Sequence, residues 1–114
     1  MTMSEPCDLT AVEARRLIGR KRLSPVELLE SCIARIEMVN PTINAVVATC
    51  YDRARDEART ATEALLRGDD LPPLHGLPLG VKDLSNTEGL RTTYGSPIYA
   101  DFVPDKDERI VASL

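Results

Sequence analysis

The chain has 114 residues, 43% of them hydrophobic, with 14 basic and 18 acidic side chains and a formal net charge of −4. That length has room for one small domain with a core, and the charge lacks the basic block or stripe of a nucleic-acid binder. No run reaches membrane-spanning length, and the opening Met1-Thr2-Met3-Ser4-Glu5-Pro6 has neither the basic start nor the apolar stretch of a targeting segment, so a cytoplasmic location is expected.

In chain order, residues 8–18 are predicted as a first helix. Thr10 and Glu13 make a capping-box pattern, Ala11, Ala14 and Ile18 share a face, and Gly19 is the expected stop. Arg20-Lys21-Arg22 then reads as a solvated helix end, where cations suit the dipole. A second helix starts at Ser24-Pro25 with Glu27 completing Ser-x-x-Glu. Val26, Leu29, Ile33 and Ile36 form its buried stripe, widened by Leu28, Cys32 and Val39. Asn40-Pro41 should end it, since the residue before proline avoids helical geometry. Cys7, Cys32 and Cys50 are odd in number and lack any C-x-x-C pairing, so neither a disulfide framework nor a metal site follows. Cys32 is expected to be a small core residue.

Residues 43–49, short and rich in Val and Ile, are predicted as a strand. Residues 51–67 are predicted as a third helix with a small-residue face of Ala54, Ala58, Ala61 and Leu65, closed by Gly68. Residues 71–78 carry Pro72 and Pro73 and read as a linker. Residues 79–84 follow as a short apolar strand with Lys82 in its middle. Then come a loop at 85–92 turning at Gly89, a short helix or turn around 98–101, and a helix start at 107–114 that nothing in the sequence ends. Four of the six glycines and five of the eight prolines lie beyond residue 70. The first part therefore reads as helical scaffold and the last as backbone shaped for a site.

In the predicted strand Gly80, Lys82 and Leu84 share one face and Leu79, Val81 and Asp83 the other. Burial disfavours an ammonium, which is how a lysine comes to serve as a general base near neutral pH. The alternative is a stem lying along the sheet edge with its head snorkelling to water. Gly76-x-x-x-Gly80-x-Lys82 lacks the adjacent Gly-Lys-Ser/Thr of a phosphate loop. His75, the single histidine, reads as a structural loop residue. Asp83 should bond nearby backbone groups rather than pair with Lys82, and Asp105, Asp107 and Glu108 should form a solvated helix entry. The hydroxyls of Ser85, Thr87, Thr92, Thr93 and Ser96 remain. Serine–lysine pairs can replace serine–histidine pairs, but Ser96, between Gly95 and Pro97, fits a plain tight turn better.

His75-Gly76-Leu77-Pro78-Leu79-Gly80-Val81-Lys82-Asp83, then Gly89-Leu90-Arg91-Thr92-Thr93-Tyr94-Gly95-Ser96 and Phe102-Val103-Pro104, resemble the N-terminal part of amidase signature enzymes. Leu23-Ser24-Pro25-Val26-Glu27-Leu28, Arg35-Ile36-Glu37 and Asn40-Pro41-x-Ile43-Asn44-Ala45 are similar to the leading helices of the same family. The likeness is collinear over nearly the whole chain. It implies an α/β fold in which N-terminal helices precede the first strands of a mixed sheet covered by helices, here incomplete. Residues 1–70 would be the helical part and 71–114 the start of the catalytic core, together one incomplete domain. It also implies hydrolysis of carboxamide C–N bonds by a lysine, a bridging serine with a cis peptide bond and a nucleophilic serine. Lys82 matches the lysine, and no cofactor or metal is implied.

The family's glycine- and serine-rich segment, which supplies both serines and the oxyanion hole, has no counterpart here. The chain alone is therefore expected to be inactive, as a fragment or as a short product completed by another polypeptide. A small amide is the expected partner, with no membrane, and with homodimerisation open for a full-length protein. Nucleic acid enters only if the chain is instead the A-subunit of a tRNA-dependent amidotransferase. A noncatalytic helical interaction module is the reading from another class.

Overall fold

The computed structural model describes residues 4–114; Met1, Thr2 and Met3, part of the stretch read for targeting, lie outside the described residues. Two compact units are present, one formed by the described residues up to Ile43 with Tyr51–Pro78, the other by Asn44–Cys50 with Leu79–Leu114.

The first unit is helical. A 3₁₀ turn, Pro6–Asp8, precedes α1, Ala11–Gly19. At the start of α1 the capping box closes as the sequence requires: the Glu13 amide donates to Thr10 Oγ1 at 3.2 Å and the Thr10 amide to Glu13 Oε2 at 2.9 Å. Gly19 is the last residue of the helix, as expected, but the left-handed residue past its end is Lys21, at φ 56°. The Lys21 amide then donates to Ile18 O and the Arg22 amide to Leu17 O, both at 2.9 Å, the paired bonds of a Schellman end.

The second helix, α2, spans Pro25–Ile43. Ser24 caps it, accepting from the Glu27 amide at 3.0 Å while its own amide donates to Glu27 Oε2 at 2.8 Å. The expected stop at Asn40-Pro41 is overridden, with Pro41 inside the helix. A proline so near the C-terminus forfeits its own backbone bond, but its fixed φ is already helical. Asn44, left-handed at φ 47°, follows the helix end. The third helix, α3, spans Tyr51–Arg67 as predicted, and Gly68 ends it at φ 78° with a Schellman pair to Leu65 O and Ala64 O.

Ala14, Ile18, Leu23, Leu28 and Leu65 form the core of this unit, with Leu9, Leu17, Cys32, Leu71 and Leu77 packed against it. Arg55 joins α3 to α2 by a two-pronged bond to Glu30, at 2.7 and 3.3 Å. The 71–78 linker packs on the helices. Arg15 donates to Pro72 O at 3.0 Å, and His75 Nε2 meets Ala61 O at 2.8 Å. Gly76, at φ 79°, leaves a Cβ position only 2.7 Å from Pro25 Cγ, so no side chain fits there.

The second unit corrects the strand expectations. Among the described residues there is no strand; the single β feature is an antiparallel bridge between Thr87 and Leu90. Residues 44–50 and 79–82 are irregular, so neither the 43–49 nor the 79–84 strand forms, and the mixed sheet is not present. A strand exists only through a ladder partner, and Leu79 and Leu84 stand 56% and 52% exposed without one. The unit is held instead by bonds between loops. Thr92 N donates to Phe102 O, Gly89 N to Pro104 O and Glu108 N to Asn86 O. Arg91 donates to Ala100 O at 3.2 Å and Val47 O at 2.7 Å. Tyr94, Tyr99 and Phe102 cluster with ring centroids 5.1–6.3 Å apart. A 3₁₀ turn at Pro97–Tyr99 and the short α4, Arg109–Ala112, complete it. No helix among the described residues is long and apolar enough to cross a membrane.

Candidate active site

Lys82 lies just before the turn at Asp83 and Leu84, and its carbonyl accepts from the Ser85 amide at 3.0 Å. The expectation of an amine kept from water in mid-strand does not hold for these residues, because Lys82 is exposed and no strand surrounds it. None of the ion pairs among the described residues includes Lys82.

Asp83 does not pair with its lysine neighbour, as the sequence suggested, but its partner is one residue ten positions on, engaged through both backbone and side chain. Its Oδ1 accepts from the Thr93 amide at 2.7 Å, and its Oδ2 accepts from the Thr93 hydroxyl. These bonds hold the Asp83 carboxyl below the usual carboxylate range, the Thr93 hydroxyl first and the Thr93 amide second, with the Arg91 charge adding to them. Thr93 Oγ1 also accepts from the Gly95 amide at 3.3 Å.

The next residue carries backbone strain. Tyr94 sits at φ 54° and Gly95 at φ 66°, two left-handed residues in succession. For a bulky side chain that conformation costs on the order of 1–3 kcal/mol. It is held by the Tyr94 hydroxyl on Asn86 Oδ1 and by the packing of the ring against Tyr99 and Phe102.

The other hydroxyls have local tasks. Thr87 and Thr92 are buried and donate to Ser85 O and Leu90 O. Ser96 Oγ caps the Pro97–Tyr99 turn by accepting from the Ile98 amide at 3.3 Å, the tight-turn role expected of it. Asp107 accepts from the Glu88 amide at 2.7 Å. Among the described residues no group of three or more His, Cys, Asp or Glu side chains is placed to hold a metal ion. The sequence reading missed Thr93 as the partner of Asp83. Ten residues separate them, and the reversal of the chain between them, closed by the Thr87–Leu90 bridge with Gly89 at φ 71°, brings them together.

A family model described as Amidase matches residues 27–114. The chain is 42% identical over 106 residues to the A-subunit of glutamyl-tRNA(Gln) amidotransferase from Anaplasma phagocytophilum (strain HZ), covering 93% of this chain and 21% of that protein. A solved structure described as an unexpected vestigial protein complex, revealing the evolutionary origins of an s-triazine catabolic enzyme, superposes with a TM-score of 0.87. It is 34% identical over 91% of this chain and 23% of its own. A bacterial aryl acylamidase of the amidase signature enzymes superposes with a TM-score of 0.77, also at 34% identity, over 82% of this chain and 19% of its own. The chain thus spans about a fifth of the length of the curated relatives it matches.

Proposed function

Because the chain belongs to the amidase signature family, we propose that it supplies the lysine of an amide-hydrolysing Ser–cis-Ser–Lys triad, with Lys82 as that lysine and residues 71–114 as the start of the catalytic core. The observation that carries this reading is the collinear match over residues 27–114, with Lys82 inside Gly80-Val81-Lys82-Asp83.

In this mechanism the unprotonated Lys82 amine takes the proton of the bridging serine, which takes that of the nucleophilic serine. A bond forms between the nucleophilic serine Oγ and the amide carbon and the C–N bond breaks, with the proton passing to the leaving ammonia or amine. Water then hydrolyses the acyl-enzyme. Both serines and the oxyanion hole belong to chain length that the relatives have and these 114 residues do not. The same length would cover Lys82, exposed here, and assemble the sheet of the family fold. The protein is proposed to be cytoplasmic, to act on a small amide and to need no cofactor.

The test is hydrolysis of an aryl acylamide by a hybrid in which residues 1–114 replace the matching part of the aryl acylamidase. The hybrid should turn over and the 114-residue chain alone should not. Turnover by the chain alone that disappears in Lys82→Ala would overturn the need for the missing serines.

The names of several relatives favour a second reading, the A-subunit of a glutamyl-tRNA(Gln) amidotransferase. There the same core would release ammonia from glutamine for use with partner subunits. Glutamine-dependent ammonia release by a hybrid with such a relative, but not with the aryl acylamidase, would select it.

A further inference from the structure

Resting on the assignment of Lys82 as the triad lysine, we propose that Asp83 and Thr93 form a positioning clamp for Lys82, in which Asp83 fixes the backbone beside the lysine and does not act as its charge partner. Four observations in the second unit carry this. First, both carboxylate oxygens of Asp83 are engaged by one residue, Oδ1 by the Thr93 amide at 2.7 Å and Oδ2 by the Thr93 hydroxyl. A carboxylate bound at both oxygens by a single residue has one orientation, so the main chain at residue 83, and with it the Cα–Cβ direction of Lys82, is fixed against the 91–95 segment. Second, the Lys82 carbonyl is tied from the other side by the Ser85 amide at 3.0 Å. The lysine is thus bracketed by one bond on its own peptide and two on its neighbour. Third, no ion pair among the described residues includes Lys82. An adjacent carboxylate free to swing toward the ammonium would favour the charged form, whereas a base must be able to shed its proton. Fourth, the residue after Thr93 is strained, Tyr94 at φ 54°, and is held there by its hydroxyl on Asn86 and by Tyr99 and Phe102. Strain kept in place by independent contacts marks geometry that the fold maintains at a cost.

Asparagine has nearly the shape of aspartate. Its carbonyl can still accept from the Thr93 amide, and its NH₂ can donate to the Thr93 hydroxyl oxygen. A positioning role therefore tolerates Asp83→Asn and a charge-partner role does not. The clamp itself is tested on the 114-residue chain by NMR. The Thr93 amide shift should follow a titration below the usual carboxylate range that is absent in Asp83→Ala. Exchange at the Ser85 amide, which the Lys82 carbonyl holds, should accelerate in Asp83→Ala and Thr93→Val, and return to the parent rate in Thr93→Ser. A Thr93 amide indifferent to pH, with exchange unchanged in Asp83→Ala, would overturn the clamp whatever the enzyme does.

The consequence for Lys82 is tested on the hybrid. Asp83→Ala should lower kcat tenfold or more with KM changed less than twofold. Asp83→Asn and Thr93→Ser should stay within about threefold of the parent, with the pH–rate profile unmoved. Equal losses in Asp83→Asn and Asp83→Ala, with a displaced acidic limb, would overturn the inference by making the charge itself the working part. An unaltered kcat in Asp83→Ala would overturn it as well. A hybrid whose activity survives Lys82→Ala would instead remove the triad reading and the proposal with it, and the NMR result tells the two failures apart.

Discussion

A carboxylate one residue from a lysine is ordinarily taken for its counter-ion, and at Asp83 that habit misleads. The strand geometry expected from sequence is absent, yet the conclusion drawn from it, that Asp83 does not pair with Lys82, agrees with its bonds to the Thr93 amide and hydroxyl. The acid lability of this contact has a definite sign. Asp83 in the folded chain titrates below its ordinary value, as do Glu13, bonded to Thr10, and Glu30, bonded to Arg55. The unfolded chain therefore binds protons at higher pH than the folded one. The stabilisation is complete above the unfolded carboxylate range and is lost as pH falls through the lower folded values, below about pH 4. Urea melts from pH 6 downward should show the midpoint falling in that window, and the fall should shrink in Glu13→Gln. Gly76 is a second single-residue test. Gly76→Ala puts a methyl 2.7 Å from Pro25 Cγ at φ 79°, so it should lose more than about 1 kcal/mol of stability in the same melts.

At the scale of elements, starts were more legible than stops. Thr10 and Ser24 cap α1 and α2 where the Ser/Thr-x-x-Glu spacing put them. Thr10→Ala and Ser24→Ala should each cost about 1 kcal/mol in urea unfolding. Stops depend on which residue turns left-handed, and nothing local in the sequence selects Lys21 over Gly19 for that. Lys21→Gly should accordingly stabilise the chain by up to about 1 kcal/mol, by relieving the left-handed lysine. Pro41 shows the same limit. Its effect on Asn40 is a preference, and α2 continues to Ile43 regardless. The strands failed for a different reason. Val and Ile enrichment at 43–49 records a wish for burial, but a strand also needs a neighbour, and among the described residues Arg91 reaching Val47 O is a side-chain tie, not a ladder.

For the molecule as a whole, the two units differ in how far they satisfy themselves. The helical unit encloses Ile18 completely, and Ile18→Ala should cost about 2–5 kcal/mol, the range for truncating a buried aliphatic side chain. The second unit leaves Leu79, Leu84, Val103 and Ile110 more than half exposed and Ile98 87% exposed. The family was legible because its motif residues are collinear across the chain, and the candidate lysine because it sits in one of those motifs. The irregular course of 44–50 and 79–82 and the exposure of Lys82 were not, since a strand needs a ladder partner that no local pattern supplies. The most direct measurement is kcat for aryl acylamide hydrolysis by the hybrid enzyme with and without Lys82→Ala. A fall of about 10²–10⁴-fold, the usual worth of a general base, is the predicted result; activity within a few-fold of the parent would contradict Lys82 as the base.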